Sequence, residues 1–463
     1  MSKENRRKFI KKASLGGLLL LGTNLKAGEN FLEMPENAFA NRKFTANDKI
    51  RIGFIGCGIQ GLANANSASK VSGVEIAAAC DLYDGRLTMM QEKFGKDVKT
   101  MRDYRQMLEM KDIDAVCIST SDHWHDHIMK EALKAGKAVY CEKPMMHHLD
   151  EGMTMVEAEK KSGLKVQVGS QRVTSLETLK AAELYKSGAI GDLILIDTRN
   201  DRNSSNGAWQ YSIPTDASPE TVGWDAFIGD APKRPFDKTR FFRWRNYDDY
   251  GTGVAGDLFV HLFTALHVIT GAVGPSKIYG TGGLRFWKDG RDAPDVTLGL
   301  LDYDKSANHP AFNVQMRVNF VDGSGGGSHV RLIGTEGVIS VEGDGVTVIN
   351  RPVRTEPTYG GWDSFGTFSE KQQQDFKKWF EATHGNDFRY KIKSPQEIKY
   401  SLPEGYNAHA HHWQNFIKAL RDGDKIVEDT TFGLRAAAPS LGANMSMKAG
   451  KPLLWDPVAM KMM

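Results

Sequence analysis

One segment of this 463-residue chain constrains its fold most: an apolar strand pattern that runs directly into a glycine-rich turn. Lys49 to Ile55 predict a buried strand, Gly56, Gly58 and Gly61 form a G-x-G-x-x-G pattern, and a helix-like segment runs from Leu62 to Val71. In a dinucleotide-binding unit the first glycine permits a tight turn and the second admits a pyrophosphate. The third lets helix and strand pack closely. The segment therefore predicts a nucleotide-binding βαβ unit.

An acidic residue follows the next strand at the distance expected for such a unit. The second apolar strand, Val74 to Cys80, ends at Asp81, twenty residues after Gly61. A carboxylate there can hydrogen-bond a ribose 2′-hydroxyl and repels a 2′-phosphate, which favours NAD over NADP. Arg86, five residues later, leaves NADP as the less favoured alternative.

Strand and helix patterns continue to alternate up to residue 172. The later strands are predicted at Ala115–Ser119, Ala138–Cys141 and 166–168, with helices at Ile128–Ala135 and Leu149–Lys161. This alternation predicts a doubly wound parallel sheet over residues 48–172. Ligands of such sheets bind beyond the carboxyl ends of the strands, so we expect the site in the loops 120–127, 142–148 and 169–172.

Residues 173–455 have a different pattern and predict a second, α+β domain. Alternating apolar runs separated by glycine-rich turns predict a largely antiparallel sheet. They cover 191–200, 277–282, 296–301, 313–320, 330–333 and 338–341. The polar stretch 350–401 is expected to be a surface excursion, and a late helix at 405–421 can pack back on the first domain.

Three motifs give the chain a specific resemblance. Thr120 to His125 resembles the Thr-Pro-Asn-x-x-His loop of the glucose–fructose oxidoreductase/inositol dehydrogenase/MocA (Gfo/Idh/MocA) family, with Ser121 in place of proline. Glu142-Lys143-Pro144 is similar to that family's Glu-Lys-Pro motif, and Gly256 to His261 resembles its D-x-x-x-H motif. The motifs occur in the family's order, and the resemblance runs from about residue 49 to the end of the chain.

The resemblance implies roles for three residues. Lys143 and His261 would share proton transfer with a substrate hydroxyl while hydride passes to the nicotinamide, and Asp257 would position the sugar and the histidine. Asp257 and His261 lie four residues apart in a predicted helix, Asp257–Ile269, so both should project from one face. A carboxylate beside an imidazole fixes its tautomer. An ammonium near a cofactor and a histidine should have a lowered pKa.

The remaining site predictions fall into two sets. The nucleotide is expected to contact Gly56, Gly58, Ile59, Gln60, Gly61, Asp81, Thr120, His125, Glu142, Lys143 and Gln171. The substrate is expected to contact Arg199, Trp244, Arg245 and Tyr250, since aromatic faces and polar groups together suit polyhydroxylated rings. No metal site is predicted, because the alternating His123, His125 and His127 have no carboxylate or cysteine partner at a ligand-like spacing.

The formal net charge of +3 is concentrated at the N-terminus. Residues 1–27 hold seven basic residues against one acidic residue, and the paired Arg6 and Arg7 precede a short apolar stretch. We interpret residues 1–40 as a twin-arginine (Tat) export signal and linker, cleaved after Ala27 or Ala40, with an ordinary Sec signal or a basic tail as alternatives. Without it the chain is mildly acidic, so neither nucleic acid nor membrane is an expected partner.

These observations predict a periplasmic, NAD-dependent oxidoreductase acting on a sugar or sugar derivative. Because the periplasm has no replenished nicotinamide pool, we expect a tightly bound cofactor that is reset within the catalytic cycle. A redox-neutral, NAD-dependent glycosidase of the same family is the alternative, and a non-catalytic sugar-binding protein is a second one. The resemblance further implies a homodimer or homotetramer formed through the antiparallel sheet.

Overall fold

The computed structural model describes residues 48–343, 345–351, 353, 358–385 and 396–463. These residues form two sheets, each packed with helices. The predicted export signal and its two candidate cleavage sites lie outside the described residues. Within the described ranges, no helix combines the length and the apolar character needed to cross a bilayer.

The first sheet is parallel, as the alternation predicted, and it has six strands where the sequence pattern predicted five; the short strand Lys99–Met101 was not predicted. Its strand order is β3-β2-β1-β4-β5-β6. The strands are β1 (Ile50–Ile55), β2 (Val74–Cys80), β3 (Lys99–Met101), β4 (Ala115–Ile118), β5 (Ala138–Cys141) and β6 (Val166–Val168). The helices between them are α1 (Ile59–Ala68), α2 (Asp84–Phe94), α3 (Tyr104–Glu109), α4 (His125–Lys134) and α5 (Glu151–Ser162). The strand order reverses between β1 and β4, which is where doubly wound sheets bind ligands.

Two helices of this domain begin one turn earlier than their sequence patterns predicted. The first residue of α1 is Ile59 rather than Leu62, and the first residue of α4 is His125 rather than Ile128. Ile59 is 66% exposed, and the first turn of α4 is polar. Hydrophobic periodicity therefore starts only in the second turn of each helix.

The second sheet is mixed and mostly antiparallel. Its order is β14-β13-β12-β11-β7-β10-β9-β8-β15-β16. The strands are β7 (Leu193–Asp201), β8 (Lys277–Gly283), β9 (Val296–Tyr303), β10 (Phe312–Asn319), β11 (Gly327–Gly334), β12 (Gly337–Glu342), β13 (Gly345–Asn350), β14 (Gln396–Ser401), β15 (Leu453–Asp456) and β16 (Lys461–Met462). The central β7–β10 pair is parallel; the pairs around it are antiparallel. The predicted fold class is therefore confirmed, with one parallel pair that strand patterns do not show.

The helices of the second domain are α6 (Leu176–Lys186), α7 (Trp224–Ile228), α8 (Lys238–Phe242), α9 (Val260–Thr270), α10 (Glu370–His384), α11 (Ala408–Asp422) and α12 (Thr430–Ala449). Helix α10 and strand β14 lie inside the stretch expected to be an excursion. Helix α10 begins with a capping box at Ser369 and Gln372. Its Phe376 and Phe380 pack on the ring of Tyr359, so a local aromatic cluster stabilises a helix with little aliphatic periodicity.

The C-terminal helices join the two domains. Trp413 of α11 stacks on Tyr140 of β5, with ring centroids 4.2 Å apart and planes at 10°. At the start of α12, the Thr430 amide donates to Glu159 of α5 at 3.0 Å, while the body of α12 packs on β8. Helices α11 and α12 therefore stabilise the first domain, and α12 also packs on the sheet of the second domain.

A long connection between β7 and α9, residues 209–250, lies over the carboxyl ends of the parallel strands; we name it the covering segment. The Gly223 amide donates to the Leu82 carbonyl at 2.7 Å, and the Tyr83 hydroxyl donates to Asp216 at 2.6 Å. The Trp124 indole donates to the Phe227 carbonyl at 2.9 Å. These bonds tie the covering segment to the loops that follow β2 and β4.

One buried histidine makes stability depend on pH. The His412 Nε2 donates to the Val168 carbonyl at 2.8 Å, and its Nδ1 accepts from the Thr174 hydroxyl at 3.0 Å. Burial lowers the pKa of His412 to about 4, whereas an unfolded histidine has a pKa of about 6.5. The unfolded chain therefore binds a proton that the folded chain does not, and this contribution is lost as pH falls through that window.

We expect the free energy of unfolding to fall by about 3 kcal/mol more between pH 7 and pH 4 than in a His412→Gln variant. Urea unfolding at a series of pH values measures the free energy of unfolding of the wild-type chain and of the variant. The glutamine amide can keep the bond to Val168, and comparing the two chains cancels every other titrating group. Identical pH slopes for the two chains would contradict this account.

Candidate active site

The glycine turn after β1 has the shape of a phosphate cradle. Gly56 has φ of +86°, and a Cβ on it would lie 2.6 Å from the backbone of Ser119. A Cβ on Gly61 would lie 1.9 Å from the Gly56 carbonyl oxygen. At Gly58 the nearest such contact is the Arg86 side chain, at 3.4 Å. Close contacts with backbone atoms therefore require glycine at positions 56 and 61. At Gly58 the absence of a side chain instead leaves room for a pyrophosphate to approach the backbone.

Asp81 lies at the end of β2 beside this turn and is buried. Its Oδ2 accepts from the Cys57 amide at 2.7 Å, and its Oδ1 accepts from the Tyr83 amide at 2.9 Å. Arg86 approaches both oxygens at 3.4 Å and lies over the rings of Phe241 and Phe242. The carboxylate is therefore rigidly placed, with a guanidinium next to it at the ribose end of the cleft.

Two adjoining cavities follow the carboxyl edge of the parallel sheet. The larger has a volume of about 590 Å³ and lies between the Asp81 end of the cleft and Phe241 and Trp244 of the covering segment. The smaller, of about 170 Å³, is lined by Lys143 and His261. Residues shared by both are Ile59, Gln60, Ser119, Thr120, Tyr211 and Arg245. A dinucleotide bound along the larger cavity would bring its nicotinamide end to the residues that both cavities share, next to Lys143.

Lys143 and Asp257 form an ion pair in the smaller cavity. The Lys143 Nζ donates to Oδ1 and to the backbone oxygen of Asp257, both at 3.0 Å. The Arg245 Nε donates to the same Oδ1 at 3.3 Å. Burial by itself would raise the pKa of Asp257, but Lys143 and Arg245 hold it well below its usual range. Asp257 is thus a fixed anion that orients two cations.

His261 is a neutral imidazole in the same cavity. Burial, together with nearby Lys143 and Arg172, lowers the pKa of His261 well below its ordinary value. Its buried Nδ1 has no hydrogen-bond partner among the described residues. The ring is therefore a free proton acceptor at neutral pH.

The expected pairing of Asp257 with His261 is not what the structure shows. The predicted helix over 257–269 is a π-helical turn at Ala255–Phe259 followed by α9. In such a wide turn a four-residue spacing does not stack side chains as it does in an α-helix. The carboxylate contacts Lys143 and Arg245 instead of the histidine.

Two further predicted site residues, His125 and Glu142, are positioned by hydrogen bonds within the first domain. The His125 Nδ1 lies 2.8 Å from the Pro144 carbonyl, so it must carry the proton, and Nε2 keeps a lone pair. That Nε2 is buried without a donor in the described part of the chain. Glu142 accepts from the amides of Asn64 at 2.8 Å and Gln60 at 3.0 Å. Both side chains line the small cavity, as does Gln171.

Comparison with protein families agrees with this geometry. Residues 50–170 match the GFO_IDH_MocA family model, an oxidoreductase family with an NAD-binding Rossmann fold. Residues 50–170 are therefore similar to the nucleotide-binding domain of that family.

Curated sequence relatives match this chain over only part of their own length. Inositol 2-dehydrogenase of Salmonella typhimurium is 31% identical over 153 residues, 33% of this chain and 46% of that enzyme. A glycosyl hydrolase family 109 protein of a Shewanella species is 28% identical over 155 residues, 32% of this chain and 34% of that protein. The chain thus spans about half, or less, of the curated relatives it matches.

The fold likeness extends further. The structure of an aldose-aldose oxidoreductase from Caulobacter crescentus, complexed with glycerol, matches 88% of this chain and 99% of that chain. Its TM-score is 0.61 at 16% sequence identity. Both domains therefore share the architecture of a solved oxidoreductase.

The four substrate residues expected from sequence lie in different places around this site. Arg245 lines both cavities, and Trp244 lines the larger one. Tyr250 is fully buried and packs on His123 and Phe227 inside the covering segment. Arg199 lies in β7, 3.8 Å from Asp201, and does not line either cavity.

The small cavity is also lined by residues that were not among the predicted site residues. They include Asp122, which lies within the Thr120–His125 motif, and Arg202, Trp209 and Tyr211. Asp122 accepts from the amide and hydroxyl of Thr252 at 2.9 and 2.8 Å, which links the loop after β4 to the approach to α9. Arg202 is three residues beyond Arg199, where β7 has ended, and the end of a strand was the available signal.

A cluster of three potential metal ligands occurs away from this site. Side-chain atoms of His147, His148 and Glu151 lie within 4.8 Å of one another, and no ion is present. Glu151 accepts from the backbone amides of His147 and His148 at 2.8 and 3.1 Å. These bonds hold the carboxylate against the turn that precedes α5.

Proposed function

We propose that this protein is an exported NAD-dependent oxidoreductase that oxidises a hydroxyl group of a sugar or sugar derivative. The observation that carries the proposal is the meeting of Lys143, Asp257 and His261 in the smaller of the two adjoining cavities. These residues come from the first domain and from the second, and they meet where the nicotinamide end of a dinucleotide fits.

The charges in the smaller cavity suit oxidation of an alcohol. A nicotinamide bound there supplies the hydride acceptor. The neutral His261 takes the hydroxyl proton, and the Lys143 ammonium stabilises the negative charge that develops on the substrate oxygen. Asp257 holds the ammonium in place, and the His125 Nε2 accepts a hydrogen bond from a second sugar hydroxyl.

We propose NAD rather than NADP as the cofactor. The buried Asp81 carboxylate at the ribose end of the cleft disfavours a 2′-phosphate, although Arg86 lies next to it. Equilibrium binding of NAD and NADP to the same preparation tests this choice. Tighter binding of NADP would reverse it.

We further propose that NAD stays bound through export by the twin-arginine route. The basic N-terminus with Arg6 and Arg7 supports the route. The covering segment supports the retention, because Phe241 and Phe242 close the larger cavity while hydrogen bonds tie the segment to the loops after β2 and β4. Release of the nucleotide would require those bonds to break.

Protein purified from its native host and desalted should therefore contain close to one nicotinamide per chain, released on denaturation. We expect Phe242→Ala to accelerate release at least about 10-fold, since it removes a buried wall of the cavity. Displacement of bound NADH by excess ADP-ribose measures the rate. Phe286→Ala is the matched control, because Phe286 is exposed and lines neither cavity. Nicotinamide-free protein from the native host would refute retention.

A redox-neutral glycosidase is the second candidate function. The similarity to a glycosyl hydrolase family 109 protein favours it. The two functions differ in products: an oxidoreductase converts the sugar into a ketone or lactone, whereas the glycosidase releases free sugar and leaves its oxidation state unchanged. Incubation with p-nitrophenyl glycosides and product analysis separates them.

We also propose that the protein is a homodimer or homotetramer, assembled through the open face of the second sheet. Leu298 and Leu300 of β9 are exposed there, and in register they lie beside Arg317 and Gln315 of β10. Light scattering on the purified protein tests the assembly. A monomer at micromolar concentration would contradict it.

A further inference from the structure

The small cavity contains a cation that no carboxylate of the described chain neutralises. Arg202 is half-buried on the wall formed by the second domain. Its Nη1 donates to the Gly207 carbonyl at 2.9 Å, and its guanidinium lies 5.4 Å from the ring centre of Phe320. Among the described residues it forms no ion pair, and its Nε and Nη2 make no hydrogen bond.

The other charges around the cavity are already satisfied. Lys143 and Arg245 share Asp257. The Asp122 carboxylate accepts hydrogen bonds from Thr252, and the Glu142 carboxylate accepts hydrogen bonds from Asn64 and Gln60. No carboxylate of the cavity is therefore left for Arg202.

A partly buried guanidinium without an anion is costly, and its planar fork matches a carboxylate. The cavity of about 170 Å³ is smaller than the roughly 300–1,000 Å³ of pockets for drug-sized ligands. It can admit about one sugar unit at a time next to Lys143.

We propose that the substrate is an acidic sugar, such as a uronic acid, whose carboxylate is bound by Arg202. This inference rests on the proposed oxidoreductase activity. Among the residues that line the cavity, Arg202 is the guanidinium without an ion pair in the described chain, and its fork matches one carboxylate. Binding of the carboxylate also offsets one of the cations that disfavour protonation of His261, so an acidic substrate makes the imidazole a better base.

The test compares matched sugars on the NAD-loaded full chain. Glucuronate is compared with glucose, and galacturonate with galactose, by the rate at which each sugar reduces the bound NAD in a single turnover, followed by absorbance at 340 nm. We expect kcat/KM to be at least 10-fold higher for the acid of a pair. In Arg202→Met that advantage should fall by about 10- to 100-fold, mainly through KM, because a charge-assisted bidentate bond is lost. Arg202→Lys should restore part of it.

Arg199→Met is the control, since Arg199 lines neither cavity. Retained NAD binding and unchanged circular dichroism establish that Arg202→Met is folded. Preference for a neutral sugar, or an equal loss on both members of a pair, would overturn the inference. So would preference for glucose 6-phosphate over glucuronate.

Calorimetric titration of glucuronate separates failure of the inference from failure of the proposed function. If no sugar reduces NAD but glucuronate binds the wild-type chain and not Arg202→Met, the acidic-sugar site stands and the redox function fails. If a neutral sugar reduces NAD and glucuronate does not bind, the redox function stands and the inference fails.

Discussion

Replacing Lys143 by methionine should lower turnover of the proposed reaction by about 10³-fold while the chain stays folded. Methionine keeps the length of the side chain but removes the ammonium that lies 3.0 Å from Asp257. The substrate oxygen then has no fixed positive charge to stabilise it as hydride leaves. The measurement is the single-turnover rate at which a sugar that the wild-type chain oxidises reduces the bound NAD, with nicotinamide content determined on the same sample.

Two further variants define what Lys143 contributes. Lys143→Arg keeps the charge but transfers a proton poorly, so partial recovery would assign the effect to electrostatic stabilisation. Lys160→Met, on the exposed face of α5, is the matched control and should behave as wild type. Turnover of Lys143→Met within about threefold of wild type would remove Lys143 from the mechanism.

A Gly61→Ala substitution should abolish nucleotide binding and cost about 3–5 kcal/mol of stability. Its Cβ would lie 1.9 Å from the Gly56 carbonyl oxygen, a backbone atom of the turn itself. Helix α1 would have to move away from β1, and the phosphate cradle would open. Urea unfolding and equilibrium NAD binding measure the two effects.

Gly58→Ala is the informative comparison, because it makes the same chemical change within the same motif. A Cβ there would meet the flexible end of Arg86 at 3.4 Å rather than backbone. We expect it to fold within about 1 kcal/mol of wild type and to lose NAD affinity by about 10- to 100-fold, since the methyl group faces the pyrophosphate. Equal stability losses for the two variants would show that the third glycine is not a packing requirement.

Much of the first domain was predictable from local patterns. The observed bounds of β2 and β5 are those the sequence predicted, because these strands are buried and their apolar runs end abruptly. Helix starts were less accurate, since the first turns of α1 and α4 are not apolar. In the second domain alternation located β7 to β12, but it missed β13 to β16 and the parallel pairing of β7 with β10.

The candidate site likewise combines features that were predictable from the sequence with features that were not. The motifs led to Lys143, Asp257 and His261, and all three line one cavity. The partner of Asp257 was expected to be His261, four residues away, yet it is Lys143, 114 residues away. A π-helical turn, which the sequence pattern does not distinguish from an α-helix, redirects the carboxylate.

The sequence by itself determined the nucleotide-binding unit, because a glycine turn between an apolar strand and a helix is dictated by contacts within a few residues. Only the tertiary structure decided which charges pair, that Arg202 rather than Arg199 reaches the cavity, and that residues 209–250 cover the cleft. Those outcomes depend on distances between segments more than a hundred residues apart in sequence. Packing of the two domains sets such distances, and no local pattern of residue types encodes them.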